Sequence, residues 1–526
     1  MQTPSATTPA SPSAAGREQW KSRLGFVMAA VGSAVGLGNM WRFSYTTAAH
    51  GGAAFVVLYV LMTLLLGLPL LLAEMMLGRG ARRSPIRALA HFGGPRWSIL
   101  GWLFVIGAFF ILAYYGVIAG WTARYAVQAV LWGFGGQDAL AHFRAVATGW
   151  QAAVWQLLFM GSCVLVVRGG VRRGIELLSL VLMPLLFALV VGLAVYASTL
   201  PRAAAGYRYY LQADFSALAS FEVLSAAAGQ AFFSLSLGMG AMLTFASYLS
   251  DDHHLPRAAS VIAGADFGVA FIAGLVVFPL VFAFDLEDTV SESSIGALFI
   301  TLPQAFASLE AVGRVIAVLF FVALWVGALT SAISLLEVAV ASAMDGLGWS
   351  RRQATWRIGL GSAAAGVPAA LSLTVLTWMD TLVGNWLLLI GAIGLCFFVG
   401  WRMPNVASEA RNGAESVRWW GLWRWLLCAA VPLLLLVLIA SLVRTCSASA
   451  QKPAAASHPR LSASRAAARH ARTAAKGGAA PASARPPKGP TASRCQPARS
   501  EDWGALPSPL GPIGLFVHLP RQCDPA

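Results

Sequence analysis

From Gly32 to Phe43 the chain reads Gly-Ser-Ala-Val-Gly-Leu-Gly-Asn-Met-Trp-Arg-Phe, which puts three glycines, an amide and a cation inside its first long apolar stretch. Glycine is a poor helix former and an unpaired charge at bilayer depth is costly. The run therefore predicts unwound backbone lining a polar cavity within a membrane. Carbonyl oxygens that a regular helix would tie up are exposed there, and such oxygens are ligands for a hard cation.

A second interruption, Gly238-Met239-Gly240, follows Gln230-Ala-Phe-Phe-Ser-Leu-Ser five apolar stretches further on. Glycines in membrane helices often serve only close packing. Two interruptions at matching places of two halves, each beside hydroxyl or amide side chains, point instead to a transporter of five-plus-five inverted repeats with its site at the breaks. Glu74, Glu176 and Glu337 also fall in or at apolar stretches, and hydrogen bonding to loops is their expected role. Cys163, Cys396 and Cys428 read as small apolar residues, while Cys446, Cys495 and Cys523 lack metal-ligand spacing. The sequence has no Gly-x-x-x-x-Gly-Lys phosphate loop, which argues against ATP as the energy source. No nucleophile, base and orienting group converge at a spacing that suggests an enzyme.

The elements that must position these residues are membrane helices. The 526 residues are 58% hydrophobic and only 11% charged, and mean hydropathy is +0.68; soluble domains carry about twice that charge fraction. Crossing a bilayer takes ~20 apolar residues as a helix. Eleven stretches qualify, near 24–46, 53–78, 98–131, 152–167, 175–200, 218–249, 259–284, 310–344, 354–376, 381–401 and 420–443. The predicted fold class is an all-α polytopic membrane protein of about 11 transmembrane helices, with helices 1 and 6 unwound. Repeat one covers about 20–200, repeat two about 215–401, and an extra helix about 420–443.

With the N-terminus inside, the inner connections hold nineteen Lys and Arg against four in the outer ones, which predicts a cytoplasmic N-terminus. The acidic 285–292 segment suits the outer face. The net charge of +15 is thus topology plus a basic tail and implies no nucleic-acid partner. Residues 1–16 are uncharged Ser, Thr, Pro and Ala for the most part and read as a disordered leader, not a signal peptide. Residues 446–526 carry eleven Lys and Arg against three acids in an Ala-, Pro- and Ser-rich background, a low-complexity tail expected to be dispensable for uptake.

The run from Trp20 through Phe43 resembles the neurotransmitter:sodium symporters, especially their bacterial amino-acid transporters. Gly51-Gly52-Ala-Ala-Phe55, Gly67-Leu-Pro-Leu with Glu74 and Gly78-Arg79, Tyr114-Tyr115 and Arg168-Gly169-Gly170 strengthen the resemblance. So do Gly174-Ile-Glu176, Gln230–Ser247 and Gly327-Ala-Leu-Thr330-Ser331, and the likeness covers about 17–445. It implies two sodium sites. One would use carbonyls of Gly32, Val35 and Gly327 with the hydroxyls of Thr330 and Ser331, although back-bonding to their own helix is the plain alternative for those hydroxyls. The second would use the Ala34 carbonyl, the Asn39 amide oxygen, Ser234 and Asp266, with the substrate carboxylate completing the shell. Ion and substrate would then raise each other's affinity.

Two residues depart from the family's pattern in a way that bears on anions. Asp266 replaces the usual asparagine, and Ala270 stands where chloride-requiring members present a serine, whereas Tyr59, Gln230 and Ser234 match chloride-site positions. An ionised Asp266 would supply the charge that chloride provides elsewhere, so chloride-independent uptake is expected; a protonated Asp266 is the alternative. Ser44 and His50 also depart, where proline and asparagine are common.

For the organic substrate the resemblance implies carboxylate binding by Tyr115 and the Gly38 amide, and ammonium binding by carbonyls of Ala34, Phe233 and Ser234. Ile111, Phe233, Ser236, Met239, Ser331 and Leu335 would bound the side chain. That wall carries no charge, which suits a neutral, hydrophobic or aromatic amino acid. Gly36 stands where monoamine carriers present an aspartate, which disfavours monoamines. The implied gates are Arg42 with Asp380 outside, lidded by Tyr115 and Phe233, and Arg17 with Asp345 inside, near Ser247 and Tyr248. The expected function is sodium-coupled import by alternating access across a bacterial inner membrane. Its expected partners are sodium, an amino acid and the lipid bilayer, and a sodium-dependent amino-acid sensor that does not transport is the other reading.

Overall fold

The computed structural model describes residues 18–212, 220–284, 297–404, 406, 409 and 420–451. The leader, Arg17, the acidic 285–292 segment and the tail beyond Gln451 lie outside the described residues. Described residues up to Ser441 belong to one compact unit; the second unit, from Leu442 on, is described only as the end of the last helix, which runs to Gln451. That helix extends past the change of composition at 445.

Among the described residues the chain is helical with no strand. Eight unbroken helices are long and apolar enough to cross a membrane, and the bent pair Arg23–Ala34 and Gly38–Ala49 makes a ninth. Two of the eleven expected spans fail that test for evident reasons. The sixth is split into Phe221–Ser234 and Ala241–Ala246. The ninth, Arg351–Leu371, opens with Arg351, Arg352 and Arg357 and is rich in Ala and Gly. The third and eighth spans, Ser98–Leu131 and Ala311–Leu347, make the most extensive helix pairing and form the scaffold against which the broken helices lie.

The first span starts under a side-chain cap, with the Ser22 hydroxyl accepting from Gly25 N at 2.9 Å. It stops at Ala34, where Val35 turns extended, and resumes as a π turn, Gly38–Arg42, bent 59° from the first half. The tenth span begins at Leu373, earlier than the expected 381. Asp380 falls just outside the expected span. It instead sits, buried, in a π turn, Asp380–Leu387, within the helix.

The break in the sixth span is pinned by the tenth. A β-carbon at Gly238 would fall 2.6 Å from the Leu388 carbonyl oxygen, and one at Gly391 would fall 2.6 Å from the Gly238 carbonyl oxygen. Gly238 and Gly240 also take positive φ, 79° and 72°, which side chains resist.

Candidate functional site

The two breaks expose backbone oxygens at one level of the molecule. Ser331 Oγ stands 3.3 Å from the Gly32 and Ser33 carbonyl oxygens and 3.2 Å from that of Val35. One hydroxyl has one proton, so it satisfies one of these acceptors at a time. Three carbonyls converging on a single hydroxyl are a ready ligand set for a cation. Thr330, one residue earlier on the eighth span, turns its hydroxyl back to Val326 and Gly327 carbonyls at 3.2 and 3.1 Å, the helix back-bonding anticipated for it. That same contact brings its oxygen beside Gly327. The glycines matter by their size: a β-carbon at Gly36 would fall 2.6 Å from Ser331 Oγ and 3.1 Å from Tyr115 Oη. One at Gly32 would fall 3.0 Å from Thr330 Cβ. Gly32, Val35, Gly327, Thr330 and Ser331 are therefore brought together.

The second cluster centres on Asp266, which is fully buried on the seventh span, Leu255–Ala283. Its Oδ1 accepts from Asn39 Nδ2 at 2.6 Å and from Ser234 Oγ at 2.9 Å, and its Oδ2 accepts from Tyr59 Oη at 3.0 Å. The Asn39 amide nitrogen is also 3.0 Å from Ser234 Oγ. The expected direction of the Asn39 amide needs correction here. Its oxygen accepts from Gly36 N at 2.9 Å instead of facing Ser234 and Asp266, because a carboxylate needs a donor and the amide N–H is the one at hand. Gln230 donates to the Gly38 carbonyl at 3.1 Å and so ties the two broken helices together.

Of the expected substrate wall, Tyr115 Oη accepts from Leu37 N at 3.4 Å, in the break of the first span. The Phe233 ring lies where a β-carbon on Gly38 would meet it at 3.2 Å, and Arg42 covers the other side of that ring at 4.6 Å from its centroid. Ser236 donates to Ser33 O at 3.1 Å. Ala34, Ile111, Met239 and Leu335 are buried. Ile111 shares a helix face with Tyr115, and Leu335 shares one with Ser331, four residues apart in each case. Of the expected outer gate pair, Arg42 interacts electrostatically with Asp380. A β-carbon at Gly384 would fall 3.0 Å from Asp380 Oδ1 and 3.1 Å from Tyr114 Oη.

The opposite end is tied by more groups than the sequence suggested. Trp20 Nε1 donates to Phe245 O at 2.9 Å, and Tyr248 Oη donates to Glu337 at 2.5 Å. Arg351 reaches Glu337 at 2.8 Å and Glu18 at 3.5 Å. Asp345 accepts from Ser84 N at 2.6 Å, while its expected partner Arg17 lies outside the described residues. Glu18 and Arg351 were missed because both read as ordinary charges flanking membrane spans. Of the three acids expected to bond to loops, Glu337 instead pairs with the Tyr248 and Arg351 side chains, while Glu176 and Glu74 take backbone donors. Glu176 accepts from Lys21 N, Ser22 N and Ser22 Oγ, and Glu74 accepts from Gly238 N at 2.8 Å and Leu243 N at 3.3 Å. Glu74 thereby holds both sides of the break in the sixth span.

Beyond that end, in the connection before the seventh span, the Ser250 hydroxyl and Arg23 hold the Asp252 carboxyl below the usual range, and burial pushes the neighbouring His253 imidazole down.

An all-helical membrane protein with two broken helices, the carbonyls of the first gathered around a hydroxyl from a scaffold helix, is a secondary transporter. Residues 17–134 and 143–461 match the model of the sodium:neurotransmitter symporter family. The chain is 36% identical over 445 residues to the uncharacterized sodium-dependent transporter YhdH of Bacillus subtilis, covering 81% of this chain and 97% of that one. It is 35% identical over 356 residues to an uncharacterized sodium-dependent transporter of Methanocaldococcus jannaschii, covering 64% of this chain and 72% of the relative. Among solved structures, MhsT in complex with L-phenylalanine superimposes with a TM-score of 0.74 at 39% identity, covering 81% of this chain and 99% of that one. The chain belongs to the sodium:neurotransmitter symporter family and is a sodium-dependent membrane symporter; its family is one of transporters rather than enzymes.

Proposed function

We propose that this symporter imports a neutral, hydrophobic or aromatic amino acid by alternating access, with two sodium ions and without chloride. The observation that carries the cation reading is the convergence of the Gly32, Ser33 and Val35 carbonyls on the Ser331 hydroxyl. The first site comprises carbonyls of Gly32, Val35 and Gly327 with Thr330 and Ser331. The second comprises Ala34, Asn39, Ser234 and Asp266, with the Asn39 amide turning its oxygen to the ion. Each sodium entering at 100 mV, inside negative, contributes about 2.3 kcal/mol from voltage alone.

The substrate carboxylate meets Tyr115 and the Gly38 amide, and its ammonium meets carbonyls of Ala34, Phe233 and Ser234. An apolar side chain packs among Ile111, Phe233, Ser236, Met239, Ser331 and Leu335. The likeness to MhsT, whose structure holds L-phenylalanine, supports an aromatic substrate. A buried carboxylate at Asp266 with hydrogen-bond donors on both oxygens supports independence from chloride. Arg42 with Asp380 gates the outer side and Arg17 with Asp345 the inner side.

The arginine bias sets the N-terminus in the cytoplasm of a bacterial cell whose inner membrane the transporter spans. The transport domain covers 17–445, between a leader at 1–16 and a tail at 446–526; truncation after Gln451, where the last helix ends, leaves uptake intact. The deciding experiment is uptake of a panel of twenty labelled amino acids into proteoliposomes under an inward sodium gradient. Sodium-driven accumulation of apolar amino acids is the expected result. Binding without accumulation would mark a sensor, and uptake indifferent to sodium would overturn the mechanism.

A further inference from the structure

The tenth span ends at Arg402 and the eleventh begins at Trp420, and between these two helix ends lies a cavity of about 220 Å³. Trp401 lines it from the tenth span, Met403 from just beyond that span's end, and Trp423 and Arg424 from the eleventh. At Gly400, itself part of the lining, the helices close on each other. A β-carbon at Gly400 would fall 2.8 Å from Cys428 Sγ, and that thiol donates to the Gly400 carbonyl at 3.4 Å. The crevice is therefore closed on the Gly400 side.

Its depth is marked by an aromatic belt. Trp97 and Phe397 stack at 6.0 Å, Phe397 and Trp401 at 6.0 Å, and Trp420 and Trp423 at 4.8 Å. Such rings concentrate at headgroup level. Trp423 is buried, and its indole N–H is already used on the Pro69 carbonyl at 3.2 Å, so it offers the cavity a fixed ring. Trp401 is 67% exposed.

The cation in this crevice has no anion supplied by the described chain. Arg424 is exposed, and no carboxylate among the described residues pairs with it or with the neighbouring Arg402. An anion at this place would pair with Arg424. At headgroup depth in a bilayer the anion at hand is a lipid phosphate.

We propose that this crevice is a binding site for an anionic phospholipid headgroup, with Arg424 pairing the phosphate and Trp401 and Trp423 flanking the glycerol region. Which leaflet supplies the lipid follows from the proposed orientation; the binding itself does not depend on it.

The test uses the full-length purified transporter and native mass spectrometry, with phosphatidylglycerol and phosphatidylcholine offered at equal concentration. Phosphatidylglycerol is retained preferentially. Arg424→Gln lowers that preference about fivefold, the effect of one arginine at an anionic surface, and Arg424→Lys keeps most of it. Arg314→Gln, a change at another membrane-face arginine, leaves it unchanged. Should Arg424→Gln misfold, Trp401→Ala serves instead and shortens lipid retention in the same direction. Equal retention by wild type and both variants would overturn the site, and so would loss of bound lipid to millimolar inorganic phosphate, which would mark a free-anion site.

Discussion

The amide nitrogen of Asn39 stands 2.6 Å from a carboxylate oxygen of Asp266, and both side chains are fully buried at the break in the first span. Ser234 and Tyr59 complete the donors around that carboxylate. On the proposed reading, an ionised Asp266 does locally what a bound anion would do. Uptake is therefore expected to be equal in chloride and in gluconate. Asp266→Asn keeps the shape and removes the charge, and the sodium concentration for half-maximal uptake should rise about tenfold, since hydrogen bonds to a charged group contribute roughly 1.5–3 kcal/mol. An unchanged sodium curve in Asp266→Asn, or a strict chloride requirement in wild type, would refute this role.

Ser331 is the other half of the ion reading. Ser331→Ala removes the hydroxyl around which three carbonyls gather, and it should weaken sodium activation by about tenfold, taking about 1.4 kcal/mol as tenfold. Gly36→Ala puts a methyl 2.6 Å from the same hydroxyl and 3.1 Å from Tyr115 Oη, and it should abolish substrate binding while the protein still inserts. Scintillation proximity binding across a sodium titration separates the two effects. Wild-type sodium affinity in Ser331→Ala would assign that hydroxyl to helix packing alone.

Glu74 tests whether the break in the sixth span must be held open. Its carboxylate accepts from backbone N–H groups on both sides of that break, at Gly238 and Leu243. Glu74→Ala leaves those donors unpaired at a cost of about 1–3 kcal/mol, so substrate affinity should fall ~10-fold or more. Glu74→Gln retains an acceptor and should lose less. Equal behaviour of the two variants in a thermal-shift binding assay would show that Glu74 does not set the geometry.

What the sequence disclosed about this site follows a physical line. Glycine clusters in apolar stretches are local signals, so the breaks near Gly36 and Gly238 were legible, as were the carbonyls and hydroxyls beside them. The sixth-span break nonetheless starts earlier than its glycines, because Ser236 itself adopts φ 53°, a conformation that its residue type does not announce. The buried Asp380 lies one residue outside the expected tenth span, since nothing local distinguishes a charge in a π turn from one beyond a helix end. The ion pair of Arg351 with Glu18 joins residues far apart in sequence, and composition cannot pair them. The direction of the Asn39 amide likewise depends on Asp266, 227 positions away.

The connection before the seventh span carries a pH dependence of its own. His253 is pushed down by burial, with Arg23 acting in the same direction and Asp252 opposing both. Its Nε2 is buried without a partner, while Nδ1 lies 3.0 Å from Ser250 Oγ. A lowered imidazole means that the unfolded chain, with a pKa of about 6.5, binds this proton more readily than the folded one. Stability from His253 is therefore complete above about pH 6.5 and declines as pH falls through that value toward the lower folded pKa. Asp252 is held low by Ser250 and Arg23, so it stays ionised over this window and adds no slope. The melting temperature of wild type in detergent should drop more between pH 8 and pH 5.5 than that of His253→Gln. Parallel curves for the two proteins would remove His253 from the acid sensitivity of this end of the transporter.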